Sequence, residues 1–154
     1  MRHTLATFAV ATLAAVTACT PRHVETPTAA ERDALAREVM AMLATSAKAW
    51  NRGDIDAFMT DYYPGERTSY VTSRGVIHDP ARIRERYAPR FAPGGVHDSL
   101  SFENVEVDPL APGVVHVLAW YLLSRGDSTI ARGPTSLVML RYDGRLRIVH
   151  DHSG

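Results

Sequence analysis

Between residues 100 and 152 the chain is a succession of apolar, β-branched and aromatic runs, at 100–107, 114–124, 129–142 and 146–152, parted by turn-forming residues. Short connections of this kind build an antiparallel sheet, because parallel neighbours need crossovers of about a dozen residues or more. The last two runs meet at Asp143-Gly144, a dipeptide suited to a type I′ hairpin, whose central residues both take positive φ. Alternation in the first run slips between Phe102 and Val105, which predicts a bulge near Glu103-Asn104 and a sharply curved sheet. Arg125-Gly126-Asp127-Ser128 reads as a hairpin turn and not as a recognition tetrapeptide.

Helical signals precede the strands. Thr28-Ala29-Ala30-Glu31 forms a capping box, with the Thr28 hydroxyl and the Glu31 carboxylate each accepting from the other's backbone amide. Leu35, Val39, Met42, Leu43, Ser46 and Trp50 follow at helical spacing and predict a helix with one buried face, ending near Asn51-Arg52-Gly53. Asp54 caps a second, short helix through Tyr62, which Pro64-Gly65 stops. Residues 68–72 and 76–78 pair as a small hairpin. Asp79-Pro80 then opens a third helix to about Phe91, with Ile83, Tyr87 and Phe91 on one side. Arg82, Arg86 and Arg90 share another side, a stripe that could hold an anion, although with Glu85 among them a solvated face is the better reading.

The N-terminus carries an address. Arg2 and His3, an uncharged stretch and Val16-Thr17-Ala18-Cys19 resemble a bacterial lipoprotein signal, with residues 1–18 removed and Cys19 lipidated. The uncharged run from Thr4 to Pro21 is shorter than the roughly 20 strongly apolar residues of a spanning helix. Residues 19–27 form a tether and 28–154 one folded domain. The expected location is extracytoplasmic, lipid-anchored to a bacterial membrane, and the outer membrane in a Gram-negative cell because Thr20 follows Cys19. Cys19 is the only cysteine, so no disulfide is available. Without Arg2, sixteen basic residues face seventeen acidic ones. That balance gives no long-range attraction to nucleic acid.

Two stretches carry a family resemblance. Ala49-Trp50-Asn51-Arg52-Gly53-Asp54-Ile55-Asp56-Ala57-Phe58-Met59 resembles a helix-to-helix corner, and Asp143-Gly144-Arg145-Leu146-Arg147-Ile148-Val149-His150-Asp151-His152-Ser153 a final hairpin and strand, of SnoaL-like proteins in the nuclear transport factor 2-like superfamily. The tail is also similar to the calcium/calmodulin-dependent kinase association domain. That domain usually has an arginine between its second histidine and its serine, whereas Ser153 here follows His152 directly. The resemblance implies an α+β, cone-shaped, cystatin-like fold: a curved antiparallel sheet wrapped around a long N-terminal helix, with three helices and five to six strands.

Such a cone holds its site inside. On the last strand Leu146, Ile148, His150 and His152 share one face, and Arg147, Val149 and Asp151 the other. Either His150 and His152 stand at the pocket as acid or base, or a bulge flips the register and Asp151 points inward. Trp50, Tyr63, Tyr70, Tyr87 and Trp120 are candidate aromatic walls, and Arg132 a candidate partner for an anionic ligand. No metal set and no cofactor motif is predicted. Three functions follow in order: a pocket for a small apolar or aromatic molecule without catalysis; a metal-free isomerase or dehydratase using His150, Asp151 or His152; and a hub. Apolar residues of both parities in 114–124, with His116, Leu118, Trp120 and Leu122 on one face, also predict a homodimer.

Overall fold

The computed structural model describes residues 26–92 and 98–154, so Cys19, the signal at 1–18 and most of the tether lie outside the described residues. Helix α1 (Ala29–Asn51) begins as the capping box requires: the Glu31 amide donates to Thr28 Oγ1 at 3.2 Å and the Thr28 amide to Glu31 Oε2 at 2.8 Å. Its stripe buries Val39, Leu43, Ser46, Ala49 and Trp50. Helix α2 (Ile55–Met59) is capped by Asp54, whose Oδ1 accepts from the Ala57 amide.

Six strands form one sheet among the described residues: β1 (Ser69–Thr72), β2 (Gly75–His78), β3 (Ser99–Ala111), β4 (Val114–Arg125), β5 (Ser128–Tyr142) and β6 (Arg145–Ser153), with helix α3 (Pro80–Phe91) between β2 and β3. Their spatial order is β2-β1-β6-β5-β4-β3. Every pairing is antiparallel except β1 with β6, where Tyr70 stands opposite Asp151. Asp143 and Gly144 take φ of 49° and 73°, as the type I′ hairpin demands. The β3 bulge falls between Glu103 and Glu106, with Asn104 at φ 50°.

The concave face holds the core. Val115, Val117, Leu137, Met139, Leu146 and Ile148 from the sheet meet Val39 and Leu43 of α1 and Ile83 of α3. The α+β, cone-shaped class is therefore the observed one, with three helices and six strands among the described residues.

Two departures from regularity build the site. Helix α2 stops at Met59, earlier than its sequence predicts, because the following residues pair with β6: Ile148 N–H donates to Asp61 O and Tyr63 N–H to Ile148 O, each at 2.8 Å. Tyr62 thus enters the sheet as a parallel bridge to Ile148. On β6, Ile148 pairs with Met139 but His150 with Val138, leaving Val149 as an inserted residue. A one-residue insertion exchanges the faces beyond it. Leu146 and Ile148 face the core before the bulge, and Asp151 is buried after it.

Candidate functional site

A cavity of about 140 Å³ lies between α1, α3 and the concave face. Trp50, Phe58, Tyr87, Leu100, Leu137 and Ile148 supply most of its apolar wall. Trp50 anchors that wall, with edge-on contacts to Phe58, Tyr87 and Phe91 at 5.3, 5.7 and 5.1 Å between ring centroids. Its indole N–H donates to the Asp98 carbonyl at 2.7 Å, so the one polar atom of the ring is satisfied.

Asp151 is the buried charged residue in this wall, only 4% exposed. Tyr62 Oη donates to its Oδ2 at 2.6 Å and Ser153 Oγ to its Oδ1 at 2.7 Å. Ser153 Oγ also lies 2.6 Å from Thr135 Oγ1. Since Ser153 spends its proton on Asp151, Thr135 is the donor there. Tyr62 on one carboxylate oxygen and the Thr135–Ser153 pair on the other therefore converge on one carboxyl.

Burial pushes the Asp151 carboxyl above its ordinary range, and the Tyr62 and Ser153 hydrogen bonds with nearby His150 and His152 offset only part of this. Burial and the charge of Asp151 push the Tyr62 and Tyr87 phenols well above theirs, so both remain donors at neutral pH. Each carboxylate oxygen keeps a second lone pair, and the arrangement can hold a ligand hydroxyl or exchange a proton with a ligand carbon or oxygen.

Of the aromatic walls expected from sequence, Trp50, Tyr70 and Tyr87 border the cavity. Tyr63 does not; its ring packs edge-on against Tyr142 at 4.9 Å. Trp120 and Arg132 sit together on the convex face, the guanidinium 4.1 Å from the ring centroid. Strand parity is the reason: Val115, Val117, Ala119 and Leu123 are buried inward, and Trp120 shares the outer parity of Leu118, which is 40% exposed. Arg132 also pairs with Glu103 at 3.7 Å. His150 and His152 fall outside the cavity wall as well; His150 Nδ1 meets Ser69 Oγ at 2.8 Å, and His152 is exposed.

Several wall residues escaped the sequence reading. Tyr62 reads in sequence as the end of a helix, and Ser153 and Thr135 carry no motif. Arg86 and Arg90, read as a solvated face, border the cavity. Their period of four, matching that of Ile83, Tyr87 and Phe91 one position on, was the available signal. Gly133 permits a further contact: a side chain there would collide with the Gly154 carbonyl and the Tyr121 ring, and Tyr121 is part of the wall. Among the described residues no three His, Cys, Asp or Glu side chains gather as metal ligands would.

The chain matches no protein-family model and no curated protein sequence. Solved structures are similar to it. An NTF2-like protein of unknown function from Shewanella oneidensis superposes with a TM-score of 0.69 at 24% identity, over 76% of this chain and 96% of that one. A Streptomyces avermitilis protein proposed to be a dehydratase of the NTF2-like family gives 0.66 at 16%, over 79% and 95%. A Catenulispora acidiphila protein in complex with S-DNPA gives 0.64 at 20%, over 79% and 94%. What the chain shares with them is the fold, an α+β cone of the NTF2-like type.

Proposed function

We propose that the cone is a binding pocket for a compact, largely apolar molecule of about one ring that carries a hydroxyl or carbonyl group. The observation that carries this reading is Asp151, buried in the wall of a largely aromatic and aliphatic cavity and held by Tyr62 and Ser153. A dry apolar cavity of ~150 Å³ accepts benzene, which sets the scale for 140 Å³ here. The Catenulispora protein, similar in fold, is in complex with S-DNPA, which accords with ligand binding by this chain. In this reading the domain works outside the cytoplasm, tethered to a membrane through lipidated Cys19.

Titration of the purified chain with phenol, followed by amide and indole NMR shifts, tests the reading. Saturable shifts at the Trp50 indole N–H, Tyr70 and Asp151 are expected. Shifts confined to the convex face around Trp120 would sink it.

A second reading is favoured by the carboxyl that burial holds above its ordinary range: a proton-transferring isomerase or dehydratase, as proposed for the Streptomyces relative in fold. Asp151 would take the proton on a free lone pair, and Tyr62 and Ser153 would hold its carboxyl in place. Asp151→Asn should then retain phenol binding while abolishing any turnover. Turnover that survives this change excludes Asp151 as the proton acceptor.

A further inference from the structure

Two arginines border the same cavity. Arg86 and Arg90 stand one turn apart on α3, and both line the cavity at its solvent-exposed side. The Arg90 guanidinium lies 5.8 Å from the Trp50 ring centroid, and its Nη1 lies 3.6 Å from Asp98 Oδ2. That distance suits an ion pair but exceeds a hydrogen bond. Arg125 instead hydrogen-bonds Asp98, its Nε and Nη2 meeting Oδ1 at 2.9 and 2.8 Å. Arg90 therefore keeps N–H donors for another acceptor.

Arg86 has no carboxylate within ion-pair distance among the described residues, whereas Arg84 of the same helix, directed away from the cavity, holds Asp56 at 2.8 Å. The cavity wall thus carries two cations against one carboxylate, Asp151, which lies deeper and is nearly enclosed. An apolar interior under a rim of two guanidiniums complements a ligand with an apolar body and an anionic end. Planar guanidiniums one turn apart can each give a carboxylate a charge-assisted hydrogen bond.

Resting on the reading of the cavity as a small-molecule site, we propose that Arg86 and Arg90 are its specificity residues and select a compact aromatic acid. The ring lies against Trp50, Tyr87 and Leu137, and the carboxylate lies at the rim between the two arginines.

Benzoate and benzamide have nearly the same shape and differ in charge, so their affinities for the full-length chain, measured by NMR titration, isolate the rim. Benzoate should bind about tenfold tighter than benzamide or better, as charge-assisted contacts exceed neutral ones. The double change Arg86→Gln with Arg90→Gln should bring that ratio near one without weakening benzamide. Asp98 retains Arg125 in this variant, so it should fold, as its thermal unfolding will report. Should it not fold, Arg86→Gln alone should lower the ratio severalfold. Arg84→Gln should leave it unchanged. Equal affinities in the unaltered chain, or a ratio that survives the arginine changes, overturn the proposal while the binding pocket stands. Failure of both ligands to bind overturns the pocket with it.

Discussion

Tyr62 and Asp151, 89 residues apart in the chain, are joined by a 2.6 Å hydrogen bond inside the cone. The contact exists because α2 ends early and β6 is bulged, and it offsets part of the burial that raises the Asp151 carboxyl. Removing its donor by Tyr62→Phe should cost about 1–3 kcal/mol, the penalty of a buried acceptor stripped of a partner. Urea unfolding at neutral pH measures it.

The pH dependence of stability follows from Asp151. Burial raises its carboxyl in the folded state above the ordinary carboxyl range, so its contribution is fully present at and below that range and is lost as pH rises toward the folded value. Asp61 moves in the same direction and Glu38 in the opposite one, so the whole-protein profile mixes signs. The comparison with Asp151→Asn separates them. The variant should gain stability relative to the parent as pH climbs from about 4 to 7. A constant difference in denaturation midpoint across that window would falsify the assignment of a raised carboxyl.

The two tryptophans should differ sharply. Trp50 is 4% exposed and packed in the aromatic cluster, so Trp50→Ala should cost about 3–5 kcal/mol. Trp120 lies half-buried on the convex face under Arg132, and its truncation should cost closer to ~1 kcal/mol, the scale of an exposed cation–π contact with partial burial. Equal costs by chemical denaturation would contradict their placement on opposite faces.

The convex face leads to an assembly prediction. Leu118, 40% exposed, and Trp120 share it on β4, an apolar surface that a two-fold partner would cover. Light scattering on residues 20–154 should report a dimer at micromolar concentration, and Leu118→Asp should give a monomer. A monomeric unaltered fragment refutes the dimer.

Lipidation at Cys19 is checked by mass spectrometry of membrane-fractionated protein. The acyl groups should sit on Cys19 at the mature N-terminus, and Cys19→Ser should release or misprocess the chain. Recovery of a soluble form with an unmodified thiol speaks against the anchor.

Local chemistry made much of this architecture legible in advance. The Thr28–Glu31 box, the Asp54 cap, the Asp79-Pro80 start, the Asp143-Gly144 turn and the bulge at Asn104 each depend on a few neighbouring residues. Periodicity likewise carried the α1 stripe and the strands, because helix and strand repeats are written in consecutive side chains.

The site depended on relations that no local window contains. Whether His150 or Asp151 faces the cavity turned on one inserted residue, Val149, whose position is set by pairing with Val138 and Met139 of β5. Trp50 and Trp120 look alike as aromatic residues in periodic segments, and only the packing of β4 on α1 assigned one to the core and the other to the convex face. Tyr62 meets Asp151, and Arg86 and Arg90 meet the cavity, through chain segments far apart in sequence. Elements and their caps follow from neighbouring residues, because they are short-range properties of the backbone. Which polar groups share the interior follows from long-range pairing, since a one-residue shift in strand register exchanges every side chain beyond it between core and solvent.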